Sequence, residues 1–166
     1  MPLVQEGTHL SGAKRHLWSR GGVMTKAELF TEYGSYHKDA KNRLCHAIGI
    51  PLIVLGLFGL LAQLRVGPVD LAALAAIATL VYYAAIDLRG ALLSTVIFAL
   101  LYWAGVHLPW QVALGAFVFG WVFQLIGHRF EGSKPKFLEN LVYLLIGPLF
   151  IFEEGLDLAL RGGRAA

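Results

Sequence analysis

From Ala47 onward the chain alternates long apolar runs with short polar interruptions. The first run, AIGIPLIVLGLFGLLAQL, covers Ala47 to Leu64 without a charge, and Arg65, Gly67 and Pro68 break it. A second extends from about Val69 to Ile86, with Asp70 at its entrance. Asp87–Leu88–Arg89–Gly90 then links it to a third, Ala91 to Leu108. Pro109 joins the third to a fourth, Trp110 to Gly127. Each run is close to the roughly 20 residues that cross a bilayer core as a helix. A helix satisfies its own backbone hydrogen bonds, which lipid cannot do for it. Links this short make neighbouring helices antiparallel. The last apolar piece, LVYLLIGPLFIF from Leu141 to Phe152, is short for a crossing and holds Gly147–Pro148, so it is expected to be re-entrant or broken. The expected fold is all-α: an integral membrane bundle of four transmembrane helices plus a short fifth segment.

Composition agrees. Of 166 residues 57% are hydrophobic and only 15% charged, where soluble domains carry about 25% charged residues. No Asp, Glu, Lys or Arg stands between Arg89 and Arg129. The net charge of +3 could point to nucleic acid in a soluble protein. Here the basic residues flank the apolar runs, so topology explains them and no nucleic-acid partner is expected. Lys14, Arg15, Arg20, Lys26, Lys38, Lys41 and Arg43 precede the first run, and Arg129, Lys134 and Lys136 follow the fourth. Lys and Arg concentrate on the cytoplasmic side, so both segments are expected there. That places the protein in the inner membrane of a bacterium or the endoplasmic reticulum of a eukaryote. Residues 1–23 lack the apolar middle of a signal peptide and read as a mobile extension, residues 24–160 as one membrane domain and 161–166 as a short tail. A lone cysteine, Cys45, excludes an intrachain disulfide and reads as a small buried hydrophobe.

The polar residues are not scattered. In YHKDAKNRLCH, residues Tyr36 to His46, two histidines and an asparagine stand at the mouth of the first run. His128 stands at the end of the fourth, which the expected topology brings to the same membrane face, with His107 at the opposite one. Asp39 is a good N-cap, so a helix is expected from Ala40, putting Asn42 and His46 on one face and leaving His37 free to fold back beside them. His128 and Glu131 share a face if the fourth helix runs that far before Gly132 and Pro135 end it. A single interface histidine more often caps a helix or meets a lipid phosphate. Three that converge suit a divalent transition metal.

Two stretches, YGSYHKDAKNRLCHAIGIPL and FQLIGHRFEGSKPKFLENLVYLLIGPLF, resemble the DUF962 or Mpo1-like family of membrane proteins over about residues 29–153. Asp39–Ala40 stand where the family pattern has Asn-Pro, and both keep a helix start possible. The resemblance implies an Fe(II)-dependent dioxygenase that uses O2 to shorten a 2-hydroxy fatty acid by one carbon in fatty acid α-oxidation. It implies that His37, His46 and His128 are the metal ligands. In that chemistry Glu131 is a candidate ligand, base or orienting group, Asn42 a hydrogen-bond donor to a ligand or substrate oxygen, and Arg129, Lys134 and Lys41 candidate partners of the substrate carboxylate. Glu153 is a further candidate carboxylate. Membrane lipids would surround the acyl tail. The alternatives are a non-catalytic lipid-binding or transport protein, or another single-metal lipid oxygenase. Clustered histidine boxes for two irons are missing from the sequence.

Overall fold

A computed structural model describes residues 25–132, 134–138 and 140–162. The expected extension 1–23 and the end of the expected tail lie outside the described residues. The described chain is all-helical apart from one tiny hairpin. Helices α1 (Lys26–Ser35), α2 (Ala40–Leu61), α3 (Leu71–Ile86), α4 (Leu88–Val106), α5 (Trp110–Glu131) and α6 (Val142–Gly162) follow in order. Strands β1 (Arg65–Val66) and β2 (Val69–Asp70) pair antiparallel, Arg65 opposite Asp70, in the link where Pro68 and Gly67 break the apolar pattern. Gly67 takes a positive φ of 64° there, a conformation that a side chain disfavours.

Local chemistry sets the boundaries. Asp39 caps α2 through its side chain, which accepts from the amides of Lys41 and Asn42. Asp70 and Asp87 cap α3 and α4 in the same way. The expected four-residue link after α3 is reduced to Asp87 alone, because an Asp that caps the next helix lets Leu88–Gly90 enter it. Helix α5 runs on past Gly127 to Glu131 and stops at Gly132, which is left-handed at φ 69°.

Among the described residues three helices, α2, α4 and α5, are long and apolar enough to cross a membrane, and α3 is a shorter apolar helix. Many large apolar side chains, among them Leu92, Val96, Leu100, Trp103, Phe119 and Leu125, face outward, as a lipid-facing surface would. Trp121 instead packs edge-on against Phe117 and Phe137. The last apolar piece departs from expectation. It is not broken at Gly147–Pro148 but forms the first half of a continuous helix of 21 residues. Pro148 removes the donor that would otherwise bond the Leu144 carbonyl, and the Tyr83 hydroxyl donates to the neighbouring Leu145 carbonyl.

Helix α2 lies at the centre, closest to α5. The two backbones meet through small residues seven apart. A Cβ on Gly49 would lie 2.8 Å from the Gly120 carbonyl oxygen, and one on Gly56 would lie 2.5 Å from that of Ala113. Small residues are what let apolar helices approach this closely in lipid. On the other side Ile50, Val54 and Phe58 of α2 join Tyr83, Phe98, Leu149 and Phe152 in one core. A second cluster, Leu29 and Tyr33 with Tyr143 and Ile146, docks α1 onto α6. Lys26 fastens this end by pairing with Asp87 at 2.8 Å and Glu153 at 2.6 Å. Arg43 pairs with Glu154 and ties α2 to α6.

Candidate metal centre

The start of α2 and the end of α5 put three imidazoles together. His37 follows α1, His46 lies in the second turn of α2, and His128 lies in the last turn of α5. Their centroids are 4.5 Å (His37–His46), 4.9 Å (His46–His128) and 5.3 Å (His37–His128) apart. One ring nitrogen from each falls within 4.8 Å of the other two, and all three side chains are buried.

Hydrogen bonding sets which nitrogens face inward. His37 Nδ1 lies 2.8 Å from the Tyr33 carbonyl, and His46 Nδ1 lies 2.9 Å from that of Asn42. A carbonyl only accepts, so each Nδ1 carries the proton and each neutral ring presents a bare Nε2. Those two Nε2 atoms face each other at 3.1 Å. Two lone pairs at that distance repel unless a proton or a metal ion lies between them. Burial pushes the His37 imidazole below its ordinary pKa, outweighing the Tyr33 carbonyl, so a trapped proton is disfavoured. His128 Nδ1 is also buried and finds no hydrogen-bond partner among the described residues. A neutral three-imidazole donor set of this kind fits a divalent transition metal. Tyr33 stacks on His37 at 4.1 Å and holds that ring from behind.

Glu131 stands beside the histidines, outside the three-imidazole group. One carboxylate oxygen accepts from the Lys38 amide at 3.0 Å, and the other accepts from the Asp39 amide at 2.9 Å and from Asn42 Nδ2 at 3.0 Å. Its acceptor capacity is directed at the turn that begins α2. Asn42 is fully buried, and its own carbonyl orients His46. Glu131, Asn42 and His46 therefore form a chain from the end of α5 to the ring of a ligand, the arrangement by which outer groups set a ligand's direction.

From the histidines a cavity of about 160 Å³ extends into the bundle. Its walls are mostly apolar, with Ile50, Val54, Phe58, Phe98 and Leu145 among them, and among the described residues no Asp, Glu, Lys or Arg lines it. Leu57, Leu144 and Leu145 are both cavity wall and outer surface, so the cavity reaches the lipid-facing side.

A polar, metal-ready head joined to an apolar chamber is the setting in which comparison with known proteins becomes informative. Residues 23–157 match the family described as 2-hydroxy-palmitic acid dioxygenase Mpo1-like. This chain belongs to the Mpo1-like family. Among its relatives is the 2-hydroxy-palmitic acid dioxygenase MPO1 of Saccharomyces cerevisiae, 34% identical over 129 residues, which are 74% of this chain and 74% of that protein. No solved structure matches the chain.

In this Mpo1-like protein His37, His46, His128, Asn42 and Glu131 come together as the sequence led one to expect. The basic candidates do not. Arg129, Lys134 and Lys41 are exposed, none lines the cavity, and the Lys41 ammonium lies over the Phe130 ring at 5.3 Å. Their positions follow from the sequence: each lies at or beyond the polar end of its helix, where a long cationic side chain turns to water. Glu153 is engaged by Lys26, and Cys45 is half-buried rather than buried and stays outside the histidine group. His107, at the far end of α4, bonds the Trp103 carbonyl instead. Sequence reasoning passed over Gln124, which lines the cavity four residues before His128. Its signal was available: a long polar side chain in an otherwise uncharged apolar run.

Proposed function

We propose that the protein is a membrane-bound, Fe(II)-dependent dioxygenase that shortens 2-hydroxy fatty acids by one carbon, with its metal site at the cytoplasmic face. The observation that carries this reading is the pair of facing Nε2 lone pairs at 3.1 Å, set at the head of a chargeless apolar cavity. His37, His46 and His128 would hold the iron, which when bound supplies the means to bring O2 to react with a 2-hydroxy acid. Membership of the family and the printed activity of the yeast relative support the choice of reaction.

The chain's own residues have separate tasks in this reading. The Tyr33 and Asn42 carbonyls keep both Nδ1 atoms protonated, so the ligand lone pairs stay aimed inward. Glu131 and Asn42 position His46 by holding the α1–α2 turn; we assign them no contact with the reacting atoms. The cavity takes the acyl tail, where each buried methylene contributes roughly 0.8 kcal/mol. Without a Lys or Arg among the described lining residues, the substrate carboxylate is left to the metal. The orientation rests on the excess of Lys and Arg in the segments before α2 and after α5. The test is direct. Purified protein loaded anaerobically with Fe(II) is given 2-hydroxypalmitic acid and O2, and the acid one carbon shorter is sought by mass spectrometry. Its formation, dependent on both iron and O2, supports the reading; its absence from iron-loaded protein refutes it.

A further inference from the structure

Below the histidines the cavity wall is mostly apolar; beside Thr79 and the tyrosines its polar member is Gln124. Its side chain is only 6% exposed, and Nε2 is buried without a hydrogen-bond partner among the described residues. It packs against bare backbone: a Cβ on Gly49 would lie 2.4 Å from this nitrogen. Gln124 precedes His128 by one turn of α5, and Gly49 follows His46 by about one turn of α2. The amide therefore sits about 6 Å along the helix axis from the histidine level. That is the junction between a head bound at the imidazoles and a tail in the cavity.

A buried amide left unpaired is destabilising, and an occupant can relieve this only by offering a polar atom at that depth. A fatty acid tail has none beyond its first carbons. The unpaired atom is a donor and needs an acceptor; the carboxylate is left to the metal in the reading above, and the next acceptor along a 2-hydroxy acid is the hydroxyl oxygen on C2. We propose that Gln124 recognises the hydroxyl on C2 of the acyl substrate and is a specificity-determining residue for 2-hydroxy over unsubstituted acids. The proposal rests on the dioxygenase reading of the same site. A site built to bond a hydroxyl disfavours the analogue that lacks it, because its own polar group is then left unpaired.

The test uses the full chain in detergent, wild type and Gln124→Met, which keeps length and removes the amide. Iron content and melting temperature are measured first, then KM and kcat for 2-hydroxypalmitic acid and the inhibition constant of palmitic acid. Gln124→Met is expected to hold iron as the wild type does. Its KM for the 2-hydroxy acid is expected to rise about tenfold, while palmitic acid binds within about twofold of before. A parallel change for both acids, or no change for either, overturns the proposal. If the Met variant fails to fold, Gln124→Leu takes its place with the same expectations. If the wild type shortens no 2-hydroxy acid, the dioxygenase reading itself has failed. Displacement of a fluorescent fatty acid by the two acids then still reads the discrimination at Gln124, and an equal ratio in wild type and variant overturns it.

Discussion

Replacing Glu131 separates a positioning role from a ligand or a base. Its carboxylate accepts from the Lys38 and Asp39 amides and from Asn42 Nδ2, all between 2.9 and 3.0 Å. The Lys38 amide belongs to an exposed residue, so water replaces that bond at little cost. The other two donors are part-buried, and bonds to a charged acceptor contribute about 1.5–3 kcal/mol each. Because Glu131 itself is half-exposed, the lower end applies, and Glu131→Ala is expected to lose about 3 kcal/mol of stability. Glu131→Gln keeps an oxygen where Asp39 and Asn42 converge and places an amide against the Lys38 N–H. Its loss is expected to be about 1 kcal/mol. Since the chain Glu131–Asn42–His46 orients a ligand, Fe(II) affinity should fall about 10–100-fold in the Ala variant and less in the Gln variant. Thermal unfolding in detergent and competition with a chromophoric chelator measure both quantities. Complete loss of metal in Glu131→Ala would make the carboxylate a ligand. Loss of turnover in Glu131→Gln with metal affinity and stability intact would make it a base. Either result refutes the positioning role.

Other substitutions probe the rest of the framework. Gly127→Ala places a methyl 2.5 Å from Asn42 Oδ1 and 3.0 Å from the Cys45 Cβ, so α2 and α5 must separate at His46; both melting temperature and Fe(II) affinity should fall, and unchanged values would contradict the packing. Thr79→Trp fills the cavity from α3, and long-chain 2-hydroxy acids should lose turnover while short ones keep it, with iron content unchanged. Lys26→Met removes the partner of Asp87 and Glu153 and should cost about 1 kcal/mol after allowance for partial exposure. The Lys26 hydrogen bond, ahead of the other causes, holds the Asp87 carboxyl below its ordinary range. The stability it contributes is present above the unfolded carboxylate value of about 4 and is lost as pH falls through the lower folded value. Acid unfolding curves of Lys26→Met should therefore be flatter below pH 4 than those of the wild type.

The sequence carried most of this architecture wherever one local rule was enough. Apolar runs and their lengths marked the helices, and Asp39 marked the start of α2. The three histidines were legible because topology placed both chain stretches at one end. Helix α6 was misread because Gly147–Pro148 disfavours helix locally, while the residues that Tyr143, Ile146, Leu149 and Phe152 pack against come from distant parts of the chain. The role of Glu131 was left open for a similar reason: spacing put it beside His128, but only the folded α1–α2 turn shows what its two oxygens bond. Gly49, Gly56, Gly120 and Gly127 recur at seven-residue intervals that mark the α2–α5 seam, a pattern visible before the structure but mute about which helix is the partner.

The central claim is that three neutral imidazoles hold one iron. Iron content should be measured on the full chain purified in detergent without oxygen, for the wild type and for His37→Ala, His46→Ala and His128→Ala. About one iron per chain in the wild type, lost in every variant whose fold survives, is the expected result. A folded wild type that takes up no Fe(II), or variants that keep it in full, would contradict the claim.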